Sequence, residues 1–256
     1  MLYTLAGVEG EHGWGRAGDT TAVMAELAKL GVDTSFTLGD RDYAMCLVRT
    51  MALADGATLS MITQGLTGAL GVHDVAVLPA TDDELRTWIQ TVDGQWLEFQ
   101  EYFVDRRHRD PVAAIDYRGA EAASPAPGVI DAITGADTLV IAPSNPPLSI
   151  WPILAVGDIR SAVESHPATV AISPLFGGRA LKGPAAEVME GLGLPAGTAG
   201  ILEAYHGLVD TLVVDAADEA DTALGDDVRI HAMNTRLDGD DQGSAVAAAV
   251  IEAMAP

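Results

Sequence analysis

The chain has 256 residues, of which 48% are hydrophobic, and sets 14 Lys and Arg against 37 Asp and Glu for a formal charge of −23. That apolar content can build a sizeable core, while the acidic field excludes general nucleic-acid or anionic-membrane binding, so an anionic substrate would need a local Arg/Lys cluster or a divalent cation. A single cysteine, Cys46, excludes an internal disulfide and a cysteine zinc site.

Asp19 reads as the N-cap of a helix over "TTAVMAELAKLG", where Val23, Leu27 and Leu30 share a face and Gly31 ends the run. "RDYAMCLVRTMALADG" and "TLSMITQGLTGALG" read as two further helices closed by glycines. Asp40, Arg41 and Asp42 open the first of these. Carboxylates suit the positive end of a helix dipole, but a cation there is better placed beside an anionic ligand, which singles out Arg41. Arg49 lies two turns on, on the face of Asp42. Cys46 has no nearby base and reads as a packing residue.

"DVAVLPATDD" is a short strand ending in a turn. "LRTWIQTVDGQWLEFQEYFV" is a β-hairpin about Asp93-Gly94, with arms rich in β-branched and aromatic residues. "RRHR", residues 106–109, is the dense basic run: a solvated strand end or an attractor for an anionic substrate. "PVAAIDYRG" is another strand, and "AEAASPAPGVIDAITGAD" connects it to a short helix. From residue 137 strand and helix alternate: "DTLVIA", a helix from about Pro152, "ATVAIS", a Gly-rich loop, the helix "PAAEVMEGLG", "VDTLVVD", "DVRIHA" and an Ala-rich helix. This alternation predicts a parallel, doubly wound sheet.

Two turns leave carboxyl ends of those strands, where open α/β sheets bind ligands. In "APSNPP", Ser144 and Asn145 offer a hydroxyl and an amide on a proline-stiffened backbone; capping of the next helix explains them equally well. In "SPLFGGRALKGPA", Ser173 ends a strand, Gly177 and Gly178 can bring N–H groups to an anion, and Arg179 and Lys182 add charge. Only two lysines occur, Lys29 and Lys182. The spacing is not that of a Walker loop. Asp82-Asp83 and Asp226-Asp227 read as solvated turns. The histidines show no metal spacing, and no G-x-S-x-G elbow appears. No apolar run has membrane-span length, and "MLYTLAGVEGEHGWG" lacks signal-peptide features, so a cytoplasmic location is expected.

"GWGRAGDT", "LGDRDYAMCLVRT", "LPATDD", "FQEYFV", "APSNPPLSIWPILAV" and "SPLFGGRALKGPA" occur in this order. Together they resemble the 2-phospho-L-lactate transferases, the CofD-like family of coenzyme F(420) biosynthesis, over essentially the whole chain. The resemblance implies a Rossmann-like α/β fold: a mainly parallel sheet with helices on both faces plus a β-hairpin insertion. A single domain over 1–256 is expected, with 74–118 as a hairpin-containing subdomain. The implied activity moves a phospholactyl or phosphoenolpyruvyl group from a GDP conjugate to the terminal ribityl hydroxyl of the 5-deazaflavin Fo, releasing GMP with the help of Mg2+. Motif position and chemistry then place Ser173, Gly177, Gly178, Arg179 and Lys182 at the guanosine diphosphate and Ser144 and Asn145 at the deazaflavin. Asp40, Arg41 and Asp42 shape the pocket between them.

Family members carry a strand, a Gly-rich loop and acidic segments before Y-T-L, and "MLYTLAGV" opens just past all three. By this resemblance the family's first strand, first phosphate loop and acidic Mg2+ ligands are expected upstream of Met1, and no metal ligand is assigned within the sequence. The short chain is expected to need a partner, an upstream extension or strand rearrangement to cover the exposed edge. Thr and His commonly stand at the positions of Met45 and Cys46, glycine at Trp151 and a basic residue at Asp105. Trp151 could stack on the ligand or fill the pocket. These substitutions motivate a second reading, an inactive paralogue that binds nucleotide or deazaflavin; a Rossmann-type interaction protein is a third. A homodimer is compatible with all of them.

Overall fold

The computed structural model describes residues 2–10, 15–224, 227–237 and 242–253. Gly13 and Trp14 of the first motif, and Asp226, lie outside the described residues. The chain divides into two compact units, Met1–Asp82 with Ala126–Gly128, and Asp83–Pro125 with Val129–Pro256. The hairpin residues belong to the same unit as the parallel sheet and share a core with the segments that connect its strands.

The first unit is helical: α1 (Leu2–Leu5), α2 (Ala22–Lys29), α3 (Asp40–Ala54) and α4 (Leu59–Ala69). The three long helices fall where periodicity placed them. Thr58 caps α4 by accepting from the Met61 N–H at 3.3 Å, the usual way to satisfy a free first-turn donor. The start of α2 differs from expectation. Its N-cap is Thr21, without a side-chain cap bond. Asp19 caps α3 instead, both its oxygens accepting from the Arg41 N–H at 3.1 Å. Asp40 returns the favour, accepting from the N–H groups of Ala22 and Val23 at 3.2 and 2.9 Å. Two aspartates thus cap each other's helices. Gly39 permits this approach, since a Cβ there would stand 2.2 Å from Asp19 Oδ2. No residue of α3 is buried, and Leu47, Val48, Met51 and Leu53 are exposed.

The second unit begins with a three-stranded antiparallel sheet, β1 (Arg86–Thr91), β2 (Trp96–Glu98) and β3 (Val112–Arg118), in the order β2-β1-β3. The hairpin turns at Asp93-Gly94 as its sequence predicts, but the second arm stops at Glu98. "EYFVD", Glu101–Asp105, winds into a π-helix rather than continuing the strand. No strand forms over residues 74–83 either; Val75 and Leu78 are exposed there and find no apolar face to join.

The chain then forms α5 (Val129–Thr134), β4 (Leu139–Ile141), a π-helix over Pro146–Ile150, α6 (Trp151–Leu154), α7 (Ile159–Glu164) and β5 (Thr169–Ile172). A small hairpin follows, β6 (Leu175–Phe176) and β7 (Arg179–Ala180), and then α8 (Ala185–Gly191), α9 (Thr198–Ala204), β8 (Thr211–Asp215), a 3-10 segment over Ala216–Leu224, β9 (Arg229–Met233) and α10 (Gln242–Ala253). β4, β5, β8 and β9 form a parallel sheet in that order. Val170, Ile172 and Val213 project to one face and pack with Val246 and Val250 of α10. Ala171, Leu212 and Val214 alternate with them and point to the other face, where they too are buried. Every residue of β5 and β8 is buried, so these strands read as continuous apolar runs. β4 is an edge strand, with Val140 51% exposed.

The two sheets are tied through the second core, in which Ile89, Leu97, Tyr102 and Val112 meet Leu148 and Val188. Each fully buried side chain of this kind contributes roughly 1.5–3 kcal/mol of transfer free energy. The antiparallel sheet thereby presses on the segments that follow the turns after β4 and β7. No described helix is long and apolar enough to cross a membrane.

Candidate functional site

A cavity of about 490 Å³ opens at the carboxyl edge of the parallel sheet. Pro143, Ser144 and Asn145 reach it from the end of β4, Pro174 and Phe176 from the end of β5, and Thr235 and Leu237 from beyond β9. Lys182, Gly183 and Pro184 come from the segment joining β7 to α8, and Phe99 and Phe103 from the helical segment that follows β2. The turns at Asn145 and Lys182 therefore open into the same cleft. Lys182 is the one charged side chain in this lining, and no ion pair engages it among the described residues. In a chain of charge −23, a pocket with one cation and no carboxylate is a local inversion of the field.

Asn145 does two things at once. Its Oδ1 accepts from the Leu148 N–H at 3.1 Å, capping the π-helix. Its Nδ2 is buried without a hydrogen-bond partner among the described residues. An unmade bond of this kind costs about 1–3 kcal/mol, which a ligand acceptor would recover. Tyr117 donates to the Pro147 carbonyl and so ties β3 to this turn; burial pushes its phenol pKa up.

The glycines behave differently from expectation. Phe176 pairs with Arg179, so Gly177 and Gly178 form the two-residue turn of a hairpin, both with positive φ, 60° and 76°. Their N–H groups donate to the buried Asp218 carboxylate at 3.0 and 2.8 Å. A side-chain carboxylate thus stands where a phosphate was expected. Gly177, Gly178 and Arg179 line a second cavity beside Glu187, Glu190 and Asp221, apart from Lys182. Ser173 is buried, and its hydroxyl accepts from the Leu175 N–H at 3.2 Å. Of the five residues assigned to the nucleotide, only Lys182 joins Ser144 and Asn145 in one cavity.

Asp40, Arg41 and Asp42 lie in the first unit. Arg41 donates from Nη1 to the Ala17 carbonyl at 3.1 Å. Asp40 is committed to capping α2, and the Thr20 hydroxyl and the Val23 N–H hold its carboxyl below the usual range. Asp42 accepts from Tyr3 and lines a cavity of about 430 Å³ with Arg16, Thr20 and Thr37. Burial first, then the bond to Asp42, raises the Tyr3 pKa. Among the described residues no three His, Cys, Asp or Glu stand together as metal ligands, and Asp19, Asp40 and Asp42 spend oxygens on backbone and side-chain donors. Their carboxylates serve helix caps and the Tyr3 hydroxyl.

Two aspartates that sequence reasoning missed organise the cavity. Asp215 ends β8 and accepts from the N–H groups of Ala217 at 3.0 Å and Thr235 at 3.2 Å, fixing Thr235 in the wall. Asp218, three residues on, holds the hairpin that leads to Lys182. Burial works to raise the Asp215 pKa, but the bonds from Ala217 and Thr235 outweigh it and leave the pKa lowered. Its stabilisation is therefore present above the unfolded-state pKa, about 3.9, and lost as pH falls through the lower folded value. Urea unfolding of the native chain and Asp215→Asn should differ by a constant amount from neutral pH down to about pH 4 and converge below it. A gap that widens in acid would contradict this assignment.

Phe99 and Phe103 were also missed, because "FQEYFV" was read as strand. Four residues apart, they share one face once the segment winds. Trp151, by contrast, is not in the lining: its indole N–H donates to the Ala204 carbonyl at 3.1 Å and joins α6 to α9. Met45 packs its sulfur 3.7 Å from the Tyr3 hydroxyl.

The model of one family, 2-phospho-L-lactate transferase CofD, matches residues 1–254. The chain belongs to the CofD family. The phosphoenolpyruvate transferase of Kitasatospora aureofaciens is 41% identical over 227 residues, covering 86% of this chain and 70% of the relative. The 2-phospho-L-lactate transferase of Methanopyrus kandleri is 36% identical, covering 88% and 73%; that of Methanosarcina mazei is 30% identical, covering 96% and 81%. The solved structure of protein BH3568 from Bacillus halodurans superposes with a TM-score of 0.62 at 16% identity, covering 98% of this chain and 82% of that one, and shows that the fold is shared. This CofD-family chain is thus a transferase of coenzyme F(420) biosynthesis built on a parallel α/β sheet.

Proposed function

We propose that the chain moves a phospholactyl or phosphoenolpyruvyl group from a GDP conjugate to the terminal hydroxyl of the 5-deazaflavin Fo, with GMP as leaving group. The observation that carries this reading is the cavity at the sheet's carboxyl edge, where Lys182, Ser144 and Asn145 share an otherwise uncharged lining. A diphosphate needs a cation, and a neutral tricyclic alcohol needs apolar walls with a few polar anchors. Lys182 would neutralise charge on the phosphoryl in flight. Asn145 Nδ2 would bind a carbonyl of the ring, and Ser144 would orient the acceptor hydroxyl toward phosphorus. The attacking hydroxyl gives its proton to solvent, its oxygen forms the new P–O bond, and the P–O bond to GMP breaks, GMP leaving with the bonding electrons. Mg2+ is expected to accompany the diphosphate, since the cation favours phosphate oxygens and water over all-protein cages.

Incubating the purified chain with Fo and each GDP conjugate in Mg2+ tests the reading. GMP release in step with a phosphodiester-linked deazaflavin is the expected result, and the conjugate that reacts names the donor. Binding of Fo or GDP without turnover would instead support an inactive binding protein. No binding of either would leave an interaction protein.

A further inference from the structure

The basic run at residues 106–109 and the aromatic pair before it are not used by the transfer chemistry. Tyr102 turns into the core at 1% exposure, while its neighbour Phe103 is 37% exposed. Phe103 stacks on Phe99 with centroids 5.4 Å apart and planes at 15°. His108 stands against the same ring, centroid 5.1 Å away and tilted 43°. His108 reaches that place through unusual backbone: among the described residues Arg107 and His108 are the two non-glycine residues of positive φ, 53° and 44°. The His108 N–H donates to the Tyr102 carbonyl at 2.8 Å, closing the π-helix. Left-handed backbone at two consecutive side-chain-bearing residues is strain that the surrounding structure must hold, and such strain gathers at functional sites. Here it braces an aromatic ring that already lines the cavity.

We propose that Phe99 and Phe103 form a ring-binding wall that takes the planar heteroaromatic group of a substrate, with His108 as a positioning residue behind Phe103. The assignment rests on the transferase reading and adds to it the part of the site that selects a flat ring. Phe103 packs against Phe99 and His108 and lines the cavity with the ring area that these two leave free. An aromatic ring offers a second ring its π-face for offset stacking and its positive rim for edge contact or for carbonyl oxygens. Lys182 on the same cavity is placed for the anionic part of the ligand, which divides the pocket into a ring end and a phosphate end. Both Fo and guanine carry a flat ring with carbonyl groups, and binding measurements separate them.

Dissociation constants of Fo, by its fluorescence, and of GDP, by calorimetry, are measured for the chain and for Phe103→Ala, Phe103→Leu, His108→Ala and His108→Phe. Phe103→Ala should weaken one of the two ligands about tenfold or more, as alanine substitution of a stacking ring does. Phe103→Leu, which keeps bulk without a π-system, should recover only part. His108→Ala should weaken the same ligand, and His108→Phe should restore it. Loss confined to Fo places the acceptor ring on the wall; loss confined to GDP places guanine there. Pyrophosphate affinity should not change in any variant. If Phe103→Ala binds Fo and GDP within twofold of the unaltered chain, the wall is not a ring site, while the transferase reading stands. If the unaltered chain binds neither, both fall together.

Discussion

Replacing Lys182 by alanine is expected to lower kcat/KM for transfer by about 100-fold or more, the scale seen when one preorganised stabiliser of transition-state charge is removed. Lys182 is the sole charged group in the cavity lining, on a chain whose total charge of −23 repels phosphates. Removing it leaves the donor's diphosphate without its protein counter-charge and exposed to that background field. Because Lys182 is exposed and pairs with no described carboxylate, the melting temperature should stay put. Affinity for Fo, which carries no phosphate, should also hold. Lys182→Arg keeps the charge but spreads it over a planar fork, and should recover part of the loss. Undiminished turnover by the alanine variant would move the catalytic cation elsewhere.

Asp218→Ala should act on structure first and on catalysis through it. Two backbone N–H groups at the tip of the β6–β7 hairpin lose their acceptor, and Asp218 is 7% exposed, so water replaces it poorly. Hydrogen bonds to a charged acceptor of this kind suggest a loss of about 2–4 kcal/mol. For a domain of this size that corresponds to a fall in Tm of roughly 4–12 °C. The hairpin runs directly into Lys182, so kcat/KM should drop as well. Asp218→Asn, which keeps one acceptor oxygen, should lie between. The freed amides form an anion-binding turn, so inorganic phosphate should stabilise Asp218→Ala more than the unaltered chain. Equal stabilisation of both would mean that the carboxylate is not standing in the anion's place.

Much of this molecule was legible one residue at a time. The hairpin at Asp93-Gly94, the apolar strands Thr169–Ile172 and Thr211–Asp215, and the helices of the first unit follow from local rules of turn chemistry and period. The resemblance carried by six ordered motifs agrees with the family match over residues 1–254. Local rules failed where a choice between two local solutions was made by packing. "EYFVD" is aromatic and β-branched and reads as strand, yet it winds into a π-helix because Tyr102 then enters the core of Ile89, Leu97 and Val112. Asp19 carries every mark of a cap for its own helix, yet caps α3, because Gly39 leaves room for its carboxylate.

Sequence by itself determined the parallel alternation, the acidic field, the family and the two turns at Asn145 and Lys182, since each depends on short-range pattern or on composition. Tertiary structure alone decided that those turns share a cavity, that Phe99 and Phe103 complete it, and that Asp218 rather than a phosphate fills the Gly177-Gly178 turn. These contacts join residues about 40 or more positions apart, and no local preference encodes them. They are set when strands align and a buried carboxylate must find donors, because leaving it unpaired in the interior costs more than any turn preference.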